Sequence, residues 1–211
     1  MQQTSMDTIE FVVRTIADTV MANEKYFTEL DGVVGDGDFG ISLAAGFSAI
    51  VEKWDSIDRT SGETFLVGCA KIISSNIGGT SGSIWRAAFR KAGKSAGDKS
   101  ELSAADVVAM LRSSAAGIAE RGGAELGDKT LLDALVPATD AFEKAIAAGD
   151  TTSALSEAAR AAREQAEVSK AWIAKRGRAS YTGERSKDTY DAGAVAIATI
   201  AEDLAKEWAA R

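Results

Sequence analysis

The chain has 211 residues, 45% hydrophobic and 26% charged, with a formal net charge of -7, a globular balance with enough length to bury a core. The negative charge disfavours nucleic acid or an anionic membrane as partner, and the single cysteine, Cys69, excludes an internal disulfide and points to a reducing, cytoplasmic setting. Histidine is absent, which excludes Ser–His–Asp catalysis, His-ligated zinc, a phosphohistidine relay and a histidine base within this chain.

No apolar run reaches the roughly 18 residues that span a bilayer, and the opening MQQTSMDTIE does not read as a signal peptide. One proline, Pro137, points to long helices. The apolar residues recur at helical spacing throughout. Ile9, Val12, Val13, Ile16 and Val20 form the first stripe, Leu43, Phe47, Ile50, Val51 and Trp54 the second, and Phe65, Cys69, Ile72 and Ile73 the third. Ile84, Trp85, Ala88, Phe89 and Ala92 give the fourth. The fifth (Val107, Val108, Leu111, Ala115, Ile118) follows Ser103, an N-cap with Asp106 in its first turn. Leu131, Leu135, Phe142 and Ile146 make the sixth, with a bend expected near Pro137. An alanine-rich stretch over 153–173 is the seventh and 195–208 the eighth. The fold class is all-α, an antiparallel eight-helix bundle or barrel in one domain over 1–211.

The connections rich in Gly and Asp are 31–40, 78–82, 121–130 and 177–193. They follow helices one, three, five and seven, so up-and-down connectivity brings all four to one end. In the first, Asp31, Asp36 and Asp38 are separated by glycines that let a short loop fold back and aim its acids at one centre. Hard cations such as magnesium want such oxygen ligands, although a solvated acidic turn has the same composition. The turn Gly78–Ser83 feeds a helix N-terminus, a site suited to phosphate or simply a flexible connection. The stretch from Gly122 to Thr130 has glycines at P-loop spacing, but Asp128 intrudes before Lys129 and no strand precedes it. A P-loop is rejected, and Asp128 is expected to cap a helix starting at Lys129. In the last connection, Arg176, Arg178 and Arg185 suit phosphate or a partner's carboxylates, or a solvated loop.

Taken jointly, Gly35-Asp-Gly-Asp38, Gly78-Gly-Thr-Ser-Gly82, Gly127-Asp-Lys-Thr130, the run from Gly177 to Ser186, and Asp191-Ala-Gly193 resemble the L subunit of dihydroxyacetone kinase, from about Leu30 to the chain's end. The resemblance implies an antiparallel barrel of eight helices. It implies that Asp31, Asp36 and Asp38 hold two magnesium ions bridging the phosphates of ADP or ATP. Nucleotide contacts are implied at Phe39, Gly40, Ile41 and Ser42, and at the phosphate turn Gly79, Thr80, Ser81 and Gly82. Gly122, Leu131 (an adenine wall), Arg178 (a positive group), Asp191, Ala192 and Gly193 complete the implied set. No catalytic side chain is assigned.

In that family the ketose sits on a separate K subunit, bound covalently to a histidine, so the resemblance implies a kinase that works only with such a partner. The phosphoryl donor is either free ATP or a phosphotransferase-system protein recharging bound ADP. A homodimer is compatible, and a regulatory module docking on a transcription factor without turnover is the alternative function. Phe39 stands where the family usually has histidine, Thr189 and Tyr190 where another histidine is common, and Asp-Ala-Gly lacks the family's proline. These departures leave the metal ligands in place and bear on phosphate contacts and substrate, which keeps a tetrulose open beside dihydroxyacetone.

Overall fold

A computed structural model describes residues 6–99 and 101–211; the first five residues, on which part of the signal-peptide reading falls, lie outside them. Among the described residues there are nine α-helices: α1 Met6–Ala22, α2 Glu24–Gly32, α3 Phe39–Glu52, α4 Gly62–Asn76, α5 Gly79–Ala96, α6 Ala104–Gly122, α7 Leu132–Ala147, α8 Ala154–Val168 and α9 Ala192–Ala209. Short 3-10 turns cover Trp54–Ser56, Ser169–Ala171 and Arg178–Ser186.

The eight expected helices are present, and α2 is additional. It continues α1 across Asn23, whose amide still bonds back to Thr19 O at 3.1 Å. Only Phe27 of α2 is buried, so no stripe announces it. The seventh helix is shorter than expected. It ends at Val168 and tightens into the turn at Ser169, whose hydroxyl bonds to Ala166 O, before Trp172 becomes extended. The start of α6 is as expected, with Ser103 and Asp106 forming a reciprocal capping box.

Each helix packs on its sequence neighbour, and the ring α1–α3–α4–α5–α6–α7–α8–α9 closes where α9 returns to α1. Consecutive helices joined by short loops are antiparallel, so this is an antiparallel helical barrel, with α2 leaning on α3. At the closing seam the Phe11 and Trp208 rings meet edge-on at 6.0 Å and Arg211 Nη1 reaches Thr8 Oγ1 at 3.4 Å. The main core centres on Phe27, Leu43, Phe47, Ile50, Phe65 and Ile73, all fully buried. The alanines of α8 that face inward (Ala154, Ala158, Ala159, Ala162, Ala166) let it lie close to α7 and α9. Cys69 belongs to this core, and burial pushes its thiol up to about 12, an inert packing residue. A second, smaller apolar cluster of Ala115, Ile118, Ala124 and Leu132, with Ile84 and Leu131 packed against it, lies under the loops at one end.

Candidate nucleotide and metal site

The connections expected to converge do so. Arg178, in the last loop, pairs with Asp36 at 2.9 Å and lies 4.0 Å from Asp38 in the first. Arg176 and Lys175 reach Asp128 in the third at 3.1 and 3.5 Å. The Gly79–Gly82 turn joins them less directly, since Gly122 at the end of α6 faces Ile84 of α5. Helices α3, α5, α7 and α9 all begin at this end, which gathers the positive ends of four helix dipoles. At α5 the cap is Gly78, which offers no side-chain acceptor, and the first amides of that helix stay free for an anion.

Asp31, Asp36 and Asp38 each place a carboxylate oxygen within 4.8 Å of the others. Local main-chain bonds set this up. The Gly35 amide bonds to Asp31 O at 2.6 Å and the Gly37 amide to Asp31 Oδ2 at 2.9 Å. A side chain at Gly35 would place its Cβ 2.3 Å from Asp31 Oδ1, so glycine is what lets the loop close on the first acid. Desolvation, then the Asp36 and Asp31 charges, raise Asp38 above the ordinary carboxylate range while Arg178 opposes them. An all-oxygen, mutually repelling trio with one guanidinium as counter-charge fits a hard divalent cation such as magnesium, with coordination positions left over for phosphate oxygens.

At the other side of the mouth, Asp191 caps α9 by accepting from the Ala194 amide at 2.7 Å. Burial raises its carboxyl to about 7, resisted first by the Ala194 hydrogen bond and then by Lys129, and helped by Asp133 and Asp31. Leu131 is partly exposed, and a Cβ at Gly193 would lie 3.2 Å from its Cβ. These two residues thus adjoin at the mouth. Other expected contacts are less well placed. The Phe39 ring packs on the main core, 6.3 Å from Phe27, rather than standing free at the mouth, because the α2–α3 junction carries it inward. Ala192 is buried and Ile41 is exposed at the start of α3. Ser42 is partly buried, Thr80 exposed and Ser81 partly buried.

Asp128 is not the cap of α7. That helix starts at Leu132, and Asp133 takes the Thr130 and Gly127 amides at 2.7 and 2.6 Å. Asp128 instead accepts from the Glu125 amide and holds Lys175 and Arg176. Lys129 and Asp133 organise this end and were not among the expected site residues. Both are buried, at 2% exposure each, which no local sequence pattern shows. A cavity of about 710 Å³ lined by Ser56, Asp58, Thr64 and Lys71 contains none of the site residues.

Residues 33–206 match the DAK2 domain. The chain belongs to the DAK2-domain family. The DhaL-type resemblance carried by its motifs is borne out by relatives along nearly the whole chain. It is 38% identical over 200 residues to the L-erythrulose 1-kinase of Mycolicibacterium smegmatis, covering 92% of this chain and 34% of that one. It is 32% identical over 189 residues to the ADP-binding subunit DhaL of the PEP-dependent dihydroxyacetone kinase of Escherichia coli, covering 89% and 90%. The dihydroxyacetone kinase of C. freundii, solved with AMP-PNP and Mg2+, superposes with a TM-score of 0.74 at 26% identity, over 98% of this chain and 35% of that one. The DAK2-type chain therefore spans about a third of the length of the erythrulose kinase and of the solved kinase, and nine tenths of the DhaL subunit. No described helix is long and apolar enough to cross a membrane.

Proposed function

We propose that this chain binds a magnesium–adenine nucleotide at the loop end of the barrel and presents its γ-phosphoryl group to a short ketose held by a separate partner polypeptide. The observation that carries this reading is the trio Asp31, Asp36 and Asp38, facing Arg178 at the end where α3, α5, α7 and α9 begin. Phosphoryl transfer needs positioning and charge neutralisation more than covalent chemistry from the protein. Magnesium bound there would neutralise phosphate oxygens. The free amides of α5 suit phosphate, Leu131 and Gly193 suit the base, and Arg178 is free to exchange its carboxylate partners for a phosphate.

In the reaction, the ketose hydroxyl oxygen bonds to the γ-phosphorus as the bond from phosphorus to the bridging oxygen breaks, leaving ADP. The ketose pocket and its histidine anchor are assigned to the partner, because this chain has no histidine, and the hydroxyl gives up its proton to a base in the assembled site. Related chains named for triose and for tetrulose substrates make both ketose lengths candidates. Two magnesium ions, exchange of free ATP against recharging of bound ADP by a phosphotransferase-system protein, and a cytoplasmic location complete the proposal.

Calorimetric titration of ADP with and without magnesium tests it. Tight binding that needs magnesium, and that is lost in both Asp36→Ala and Asp38→Ala with helical content unchanged, is the expected result. ADP affinity unchanged from wild type in both variants ends the metal-site reading. In a coupled assay, the chain alone should leave dihydroxyacetone and erythrulose unphosphorylated, and a ketose-binding subunit should confer turnover. Turnover by the pure chain overturns the division of labour, and nucleotide binding without turnover in any pairing supports a regulatory module.

A further inference from the structure

Lys129 sits where a P-loop lysine would fall in the glycine-spaced run, yet its surroundings make it a different device. Its backbone is left-handed, with φ of 61°, a conformation that costs a non-glycine residue energy and persists only when its surroundings hold it. It is 2% exposed. Its ammonium donates to three main-chain carbonyls: Lys170 O at 3.2 Å, Trp172 O at 3.0 Å and Ser186 O at 2.5 Å. Those bonds use all three of its N–H groups. Among the described residues no carboxylate lies within ion-pair distance of it, and the nearby charges that favour its ammonium are Asp191 and Asp188. No donor is left to offer a phosphate.

The three carbonyls belong to two arms of one loop. Lys170 and Trp172 lie on the arm leaving α8, and Ser186 lies on the arm returning to α9. Adjacent bonds close the same base: the Asp188 amide to Lys170 O at 2.7 Å, the Ala174 amide to Ser186 Oγ at 2.9 Å, and the Lys175 amide to Asp128 O at 3.0 Å. Between the arms the loop carries Arg178, which reaches the acidic trio, and immediately after it comes Asp191, the cap of α9. We propose that Lys129 is a positioning residue for the nucleotide. Its ammonium acts as a tethered cation that staples the two arms of the 170–186 loop, and so holds Arg178 over the acidic loop and the α9 N-terminus against Leu131. This rests on the nucleotide reading of the site, and gives the lysine of the Gly-Asp-Lys-Thr element a role through main-chain carbonyls rather than through phosphate.

The test uses the whole chain with Lys129→Gly, which suits the left-handed backbone and leaves a carbonyl-lined space shaped for n-butylammonium. Magnesium–ADP affinity is measured by calorimetry and amide exchange of residues 170–186 by mass spectrometry, each with n-butylammonium or with uncharged n-butanol. The expected affinity loss is about 10- to 100-fold, the scale reached when a group that holds ligand-bearing residues is removed. Exchange should rise within 170–186, and both effects should recede with n-butylammonium but not with n-butanol. An unchanged affinity in Lys129→Gly, or a fall in affinity with exchange of 170–186 unaltered, overturns the proposal, the second because it would mean that Lys129 acts on the nucleotide itself. Should Lys129→Gly fail to fold, the affinity and exchange readouts on Lys129→Met, which keeps the stem and loses the charge, decide in the same way. Wild-type protein that binds no ADP at all would instead sink the underlying nucleotide reading.

Discussion

Replacing Gly40 with alanine separates the geometry of the acidic loop from its charge. Gly40 is buried in the first turn of α3, where the helix crosses α2. A methyl group there would lie 2.1 Å from Glu24 O, 2.4 Å from Thr28 Oγ1 and 2.6 Å from the Thr28 amide nitrogen. Two of these three atoms are backbone, so rotation of a side chain does not relieve the overlap. The helices must part by roughly 1 Å to restore ordinary contact, and overpacking of this kind costs about 1–3 kcal/mol. For a chain of this length that is a fall in Tm of about 2–12 °C. Asp38 lies two residues before Gly40, so the displacement also spreads the acidic trio and weakens magnesium-dependent ADP binding. Differential scanning calorimetry with and without magnesium–ADP reads both effects, and ligand should raise Tm less in the variant. A Tm within about 1 °C of wild type, with the ligand-induced rise intact, refutes the close-approach argument.

Two further outcomes follow from the same end of the barrel. Asp191 holds its proton in the folded chain up to about pH 7, whereas the unfolded chain releases it near the ordinary value of 3.8. Its contribution to stability is therefore full below that lower value and is lost as pH rises through about 7. Since Asn caps as well as Asp, Asp191→Asn should gain on wild type in unfolding free energy, read from urea titrations between pH 4 and 8, by on the order of 1–3 kcal/mol, and a pH-independent difference would contradict the buried carboxyl. Phe39→His gives up an aromatic contact with Phe27 and sets a polar ring against the core, for a loss of about 1–3 kcal/mol; an unchanged melting curve with slower ADP release would return the ring to the phosphate side.

The parts of the molecule that were readable from sequence are those whose signal is local. Stripes such as Val12–Val20 and Leu43–Trp54 repeat at helical spacing and became α1 and α3. Helix α2 stayed hidden because one buried aromatic, Phe27, makes no stripe. The acidic loop was readable because its glycines and aspartates are neighbours in the chain, and close packing at Gly35 turns that spacing into a cluster. Arg178 could be named from the motif, but its partnership with Asp36 belongs to the closed barrel. Asp128 reads as a cap because a cap and a counter-ion look alike in sequence; only the start of α7 at Leu132 and the amides taken by Asp133 tell them apart. Lys129 was opaque for a deeper reason. Its partners are carbonyl oxygens, which every residue carries, so no side-chain identity at 170, 172 or 186 foretells them.

The seam where α9 closes on α1 also decides how such a barrel can be tethered. Thr8 and Arg211 meet there, and Phe11 stacks edge-on with Trp208, while α1 runs toward, and α9 away from, the end that holds the acidic loop. Both leads therefore leave the barrel at the face opposite the mouth that holds the acidic trio. A polypeptide joined at either one is anchored away from the site and must reach around the barrel to meet it, so the linker's length sets its effective concentration there without the linker crossing the opening. A barrel closed at this seam can thus be extended at either lead with no change to the geometry of its mouth.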